Sequence, residues 1–209
     1  MNRATLYYVY DPMCSWCWGY APTWALLEQQ LMQQFPQLSI QYQLGGLATD
    51  TLEAMPEEME ELLQQTWRQI SRQLGTQFNF DFWVKCQPRR ATYPACRGAM
   101  LARDEGLEKP FYHAVQRAYY LEAKNPSDDS TLVQIAGSIG MDSDAFALAL
   151  NSNQTKQRLV EEVTRTRRLP IQGFPSLVMG LNNELILINL DYKRPHITFE
   201  QIKSLLQDL

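Results

Sequence analysis

Apolar side chains follow two periods along this chain, and the changes between them mark its organisation. Thr5–Tyr10, rich in Leu, Tyr and Val, reads as a strand buried on both faces, ended by Asp11-Pro12. From about Cys14 the apolar positions shift to helical spacing, through Trp24, Leu27, Leu31 and Phe35, until Pro36 stops the series. Leu38–Leu44 alternates apolar and polar residues like a strand, and Gly45-Gly46 breaks it. Strand, helix and strand in this order make a βαβ unit with parallel strands.

The middle of the chain changes character and reads as a series of helices. Pro56-Glu57-Glu58 opens a helix whose stripe is Met59, Leu63, Trp67, Ile70 and Leu74, with Gly75 as its cap. Further helices are expected near Pro94–Glu105, Pro110–Ala123, Ser130–Ile139, Asp142–Leu150 and Gln154–Arg168. Gly106 and Gly140 close two of them, and Ser130 and Asp142 suit N-caps. The end returns to period two. Pro175–Met179 and Leu185–Ile188 flank the turn Leu181–Glu184 as a hairpin, and Thr198 caps a last helix carried by Phe199, Ile202, Leu205 and Leu206.

The fold class is therefore α/β: a thioredoxin-type βαβ…ββα order with a large all-helical insertion between the second and third strands. The expected division is residues 1–50 and 165–209 for the thioredoxin-like domain and 51–164 for the insertion.

Composition narrows the function. With 209 residues and 45% hydrophobic positions the chain can bury a full core. A net charge of −4 argues against phosphate-driven nucleic-acid binding. Met1–Tyr10 carries one basic residue and no long apolar stretch, so neither a secretory signal nor a membrane span is expected, and the cytoplasm is the expected location. Thiols are kept reduced there, so four cysteines point to catalysis or metal binding rather than to staples.

Their spacing decides how each is read. Cys14-Ser15-Trp16-Cys17 sits where a helix should begin, directly after a buried strand. Only a thiolate attacks a disulfide, and the first helical turn supplies unpaired N–H groups and the positive dipole end. Cys14 is expected as the exposed nucleophile and Cys17, one turn deeper, as the resolving thiol. Ser15, Trp16 and Asp11 are tuning candidates: a hydroxyl donor, a bulky apolar neighbour, and a carboxylate that either opposes the thiolate or accepts its proton. A bare CxxC is also half of a zinc site or an incidental pair. His113 and His196 form no ligand-like cluster with it, so no metal is expected.

Gly173-Phe174-Pro175 opens the third strand of the pattern. A trans X–Pro bond is the common state. A cis bond here would turn the Phe174 main chain toward Cys14, ready to pair with an extended substrate.

With Asp11-Pro12-Met13-Cys14-Ser15-Trp16-Cys17-Trp18-Gly19, the helical block and Gly173-Phe174-Pro175-Ser176 together, the chain resembles the DsbA-like thioredoxin superfamily, particularly its cytoplasmic FrnE-type branch. The resemblance implies dithiol oxidoreductase or disulfide isomerase activity, with Cys14 as nucleophile, Cys17 as resolving thiol and Pro175 as the cis-proline. The implied partners are protein or small-molecule thiols and disulfides. No bound cofactor is implied, glutathione is a candidate redox partner, and the chain would act as a monomer or homodimer. Ser-Trp replaces the Pro-His of periplasmic DsbA, which argues against a role as periplasmic oxidant. The same superfamily holds kappa-class glutathione transferases and 2-hydroxychromene-2-carboxylate isomerases, which usually carry serine at the position of Cys14, so a glutathione-dependent transferase or isomerase is the alternative.

Other features rank lower. Cys86 and Cys96 are read as buried or free thiols, with a second redox pair as the sharper alternative. Lys85, Arg89, Arg90 and Arg97 are read as solvated surface, and Arg165, Arg167 and Arg168 as cations suited to a helix C-terminus. Phe78, Phe80, Phe82 and Trp83 are expected to dock the helical block on the sheet, a substrate groove being the alternative.

Overall fold

A computed structural model describes residues 4–207. The elements in order are β1 (Thr5–Tyr10), α1 (Ser15–Gln34), β2 (Ser39–Leu44), α2 (Glu57–Leu74), α3 (Phe82–Lys85), α4 (Tyr93–Asp104), α5 (Glu108–Tyr120), α6 (Asp129–Ser138), α7 (Ser143–Leu150), α8 (Asn153–Thr166), β3 (Ser176–Leu181), β4 (Glu184–Ile188) and α9 (Pro195–Gln207). The sheet runs β2-β1-β3-β4. β1 pairs parallel with β2 and antiparallel with β3, and β3 pairs antiparallel with β4. The mixed α/β thioredoxin-type order expected from the pattern is the observed one.

Local chemistry explains most boundaries. Asn182 and Asn183 both take positive φ (49° and 67°), so Leu181 faces Glu184 across a two-residue turn whose twist matches the hairpin. Gly75 takes φ 74° at the end of α2, and Gly106 and Gly140 do the same after α4 and α6. Asp142 caps α7 by accepting from Asp144 N and Ala145 N. On α1, Gly19 makes room for α2: a β-carbon there would stand 2.8 Å from Ile70 Cγ2.

Several expectations need correction. β1 is buried on both faces only toward its end, where Tyr8, Val9 and Tyr10 are inaccessible; Thr5 and Tyr7 are half-buried. The N-cap of α6 is Asp128, not Ser130, and its carboxylate is taken by Arg89 instead of capping. Thr198 is not a cap but lies inside α9, fully buried, accepting from Asp191 N and donating to Asn189 O. Asp191 fastens the turn that leads into α9, accepting from the N–H groups of Lys193 and Arg194. Helix α3 was not anticipated, because four residues are too few to show a period.

The core runs from the sheet into the helices. Leu6, Tyr8 and Tyr10 of β1 face Trp24, Leu27 and Leu31 of α1, and Tyr8 stacks on Trp24 at 4.4 Å between centroids. The helical block is fastened to the edge strand β2. Glu162 of α8 accepts from Leu44 N, while Arg103 of α4 donates to Tyr42 O, Glu108 and Glu162. These side chains take up main-chain groups that an edge strand would leave open to pairing.

Candidate active site

Cys14 is the N-cap of α1 (φ −78°, ψ 120°), and no side chain caps that helix. Cys14 therefore sits at the positive end of α1, where the first-turn N–H groups have no partner within the helix. Cys14 N donates to Asp11 O at 3.1 Å, which closes the turn out of β1. Across from it the Phe174–Pro175 peptide bond is cis, and Cys14 Sγ donates to Phe174 O at 3.4 Å. The two ends of the chain, 160 residues apart, meet at this contact.

Cys14 is recessed rather than exposed, with 7% of its surface accessible. The expectation of an exposed nucleophile is corrected here: the sulfur lies against the Phe174 main chain. Cys17 is fully inaccessible, and burial pushes its thiol well above the ordinary cysteine value, with the neighbouring Cys14 adding to the shift. The two thiols are near one another and unbonded.

Ser15 meets the helical block. Its Oγ accepts from Trp67 Nε1 at 3.0 Å, in the dry seam between α1 and α2. Trp67 is fully buried and ringed by Phe78, Phe80, Phe82, Trp83, Tyr119 and Tyr120. The aromatic cluster thus packs on Trp67, behind the motif, rather than on the sheet as expected. Trp18 Nε1 donates to Gln77 O, and Tyr120 OH donates to Met13 O at 2.8 Å, so helical-block groups brace both flanks of the motif.

Trp16 points the other way. It meets Tyr192 edge-on at 5.5 Å and, with Gly173, Phe174, Pro175 and Leu187, lines a cleft of about 430 Å³ beside the cis peptide. A larger pocket of about 630 Å³ lies away from the thiols at the β2 edge, lined by Glu28, Tyr42, Arg103 and Lys109 among others.

Asp11 is buried and saturated. It accepts from Met13 N at 2.9 Å, Leu47 N at 2.7 Å, Thr92 Oγ1 at 2.7 Å and Cys96 Sγ at 3.5 Å. Burial raises its carboxyl above the usual range, and the donors pull it partly back. Its charge also opposes ionisation of Cys17.

Cys86 and Cys96 are separate thiols with different partners. Cys86 Sγ donates to Ala123 O at 3.1 Å, while Cys96 lies fully buried against Asp11. Arg97 is not solvated. It is 2% accessible and reaches Asp50, Leu150 O and Asn151 Oδ1. Arg89 is likewise engaged, with Ser127 O and Asp128. Arg165, Arg167 and Arg168 are exposed at the end of α8, as expected. Among the described residues no group of three or more His, Cys, Asp or Glu side chains is arranged to hold a metal ion.

Sequence patterns alone did not find Trp67, Tyr120 and Tyr192 as neighbours of the motif. Trp67 was legible as a core residue on its stripe, but nothing local signals that its N–H ends on Ser15.

The DSBA-like thioredoxin domain matches residues 5–194. The chain belongs to that family. Its fold is that of DsbA-like thiol–disulfide oxidoreductases. A structure from Nitrosomonas europaea, provisionally described as a protein disulfide isomerase, is 28% identical with a TM-score of 0.82, over 99% of this chain and 98% of that one. The cytosolic disulfide reductase DsbM from Pseudomonas aeruginosa is 21% identical with a TM-score of 0.77, over 98% and 100%, and its glutathione complex is also similar. In sequence, the ClpXP adapter protein SpxH from Bacillus subtilis is 23% identical over 176 residues, 82% of this chain. This chain spans 56% of that relative's length. No described helix is long and apolar enough to cross a membrane.

Proposed function

We propose that the chain is a cytoplasmic dithiol–disulfide oxidoreductase or disulfide isomerase acting through Cys14 and Cys17. The observation that carries this reading is Cys14 at the helix N-terminus with Sγ 3.4 Å from the Phe174 carbonyl, across a cis Phe174–Pro175 bond.

The thiolate of Cys14 attacks one sulfur of a substrate disulfide. A Cys14–substrate bond forms, the substrate disulfide breaks, and the second substrate sulfur leaves as a thiolate. Charge developing on Cys14 meets the unpaired N–H groups of the first turn of α1. Once Cys14 has lost its proton, the Phe174 carbonyl no longer has that donor and is free to accept from a substrate amide. Cys17, dry and hard to ionise, gives its proton to the departing thiolate. It then attacks Cys14 Sγ, forming the Cys14–Cys17 disulfide and displacing the remaining substrate sulfur as a thiolate, which takes from solvent the proton that Cys14 had released. The protein dithiol is oxidised as the substrate disulfide is reduced; glutathione or another small thiol resets it, and the reverse course oxidises a substrate dithiol. The cleft of Trp16, Gly173, Phe174 and Pro175 is the proposed seat for the substrate chain beside the reacting sulfur.

The test is insulin reduction and scrambled-ribonuclease refolding with Cys14→Ser and Cys17→Ala. The expected result is loss of both activities in Cys14→Ser and accumulation of mixed disulfide in Cys17→Ala. Full activity in Cys14→Ser rejects the reading. Full turnover of an electrophile with glutathione by Cys17→Ala would support a glutathione transferase or isomerase instead. Undiminished partner binding with no thiol chemistry would support an adapter role.

A further inference from the structure

The end of β2 and the loop before β3 meet close to Cys14, and one contact there is tighter than any side chain permits. A β-carbon on Gly45 would stand 2.1 Å from Cε1 and 2.2 Å from Cζ of Phe174. Apolar heavy atoms approach no closer than about 3.5 Å, so the Phe174 ring lies directly on the main chain of Gly45. We infer that Gly45 is a positioning residue for the reaction at Cys14: the bare main chain seats the Phe174 ring, and the seated ring registers the Phe174 carbonyl against Cys14 Sγ. The inference rests on Cys14 being the nucleophile.

The strand side of this contact is fixed. Gly45 N donates to Tyr10 O at 2.7 Å, and Leu47 N donates to Asp11 Oδ2 at 2.7 Å. Between them Gly46 takes φ 63°, and a β-carbon on it would stand 2.6 Å from Val163 Cγ2 of α8. Gly45 is therefore pinned to β1 on one side, with its neighbour closed in by α8 on the other. It cannot back away from an added methyl group. Gly45 itself has no left-handed φ, so alanine fits its backbone conformation and acts only by collision.

The loop side is the part that can move. Phe174 is half-buried, and its loop is held by Ser176 Oγ donating to Gly173 O at 2.7 Å and by the pairing of Ser176 with Val9. Pushing the ring off its seat shifts the main chain of Phe174, and with it the carbonyl beside the sulfur. An extended peptide needs that carbonyl as an acceptor, while a small reagent needs only the thiolate. The displacement is therefore felt by peptide substrates first.

Gly45→Ala, Phe174→Ala and the double variant test this, each in a Cys17→Ala background. Two rates are measured: mixed-disulfide formation with an extended peptide carrying a nitrothiobenzoate disulfide, and reaction with the small reagent dithionitrobenzoate. Thermal melts accompany both. Gly45→Ala is expected to slow the peptide reaction by about tenfold or more and the small reagent by less. In the Phe174→Ala background, where no ring remains to be displaced, adding Gly45→Ala should change neither rate nor melting temperature. The inference is overturned by a peptide rate in Gly45→Ala equal to the parent's, by an equal slowing of both reagents, or by the same slowing in the Phe174→Ala background. Should Gly45→Ala fail to fold, recovery of folding in the double variant supports the ring collision, and a double variant that also fails overturns it. Failure of the underlying reading looks different: Cys14→Ser would react as fast as the parent.

Discussion

Trp67 and Ser15 offer a direct measure of how firmly the helical block holds the motif. Trp67→Phe removes the indole N–H that Ser15 Oγ accepts at 3.0 Å and leaves a void in a fully buried site. The lost hydrogen bond costs about 1 kcal/mol, and the partial loss of a buried aromatic ring about 1–2 kcal/mol more. The total is about 2–3 kcal/mol. Ser15→Ala strands the same N–H without a partner, which costs about 1–3 kcal/mol. Both single variants break one bond, so the double variant should be about 1 kcal/mol less destabilised than the sum of the singles. Urea denaturation of the reduced protein, followed by far-ultraviolet circular dichroism, gives the three values. Additivity to within about 0.5 kcal/mol would refute the assignment of the Ser15 hydroxyl to Trp67.

Arg97→Met should destabilise by about 3 kcal/mol or more in the same denaturation assay, because Asp50, Leu150 O and Asn151 lose their common donor; a loss within error of zero would contradict its structural role. In a Cys86→Ala background, iodoacetamide at neutral pH should label Cys14 and spare Cys17, whose thiol burial holds protonated; equal labelling in a mass spectrum would count against the assigned order of the two thiols. Arg194 and the N–H groups of Lys193 and Arg194 hold the Asp191 carboxyl down to about 2, from an ordinary value of 3.8. Between those values the unfolded chain binds the proton and the folded one does not, so stability present above pH 3.8 falls as the pH drops toward 2. Asp191→Asn should flatten that acid limb in a pH series of melts, and an unchanged slope would refute the pairing.

Sequence alone determined what depends on neighbours in the chain. Period-two and helical runs gave β1, α1, β2 and the hairpin nearly to the residue, Gly75 announced the end of α2, Asn182-Asn183 announced a turn, and Cys14 at a strand-to-helix junction announced the chemistry to look for. These signals are local, set by side-chain spacing and by which residues tolerate positive φ. Tertiary structure decided whatever depends on partners far along the chain. Arg97 looked like surface because charge predicts exposure, yet Asp50 and the end of α7 supply enough acceptors to bury it. Nothing near Ser15 in the chain announces that its oxygen accepts from Trp67, 52 residues away. Cys14 looked exposed at its helix start, yet it is recessed and meets the Phe174 carbonyl, 160 residues away. Pairings of this kind follow from how the helical block folds back onto the sheet, and no local pattern records where that return will place a given side chain.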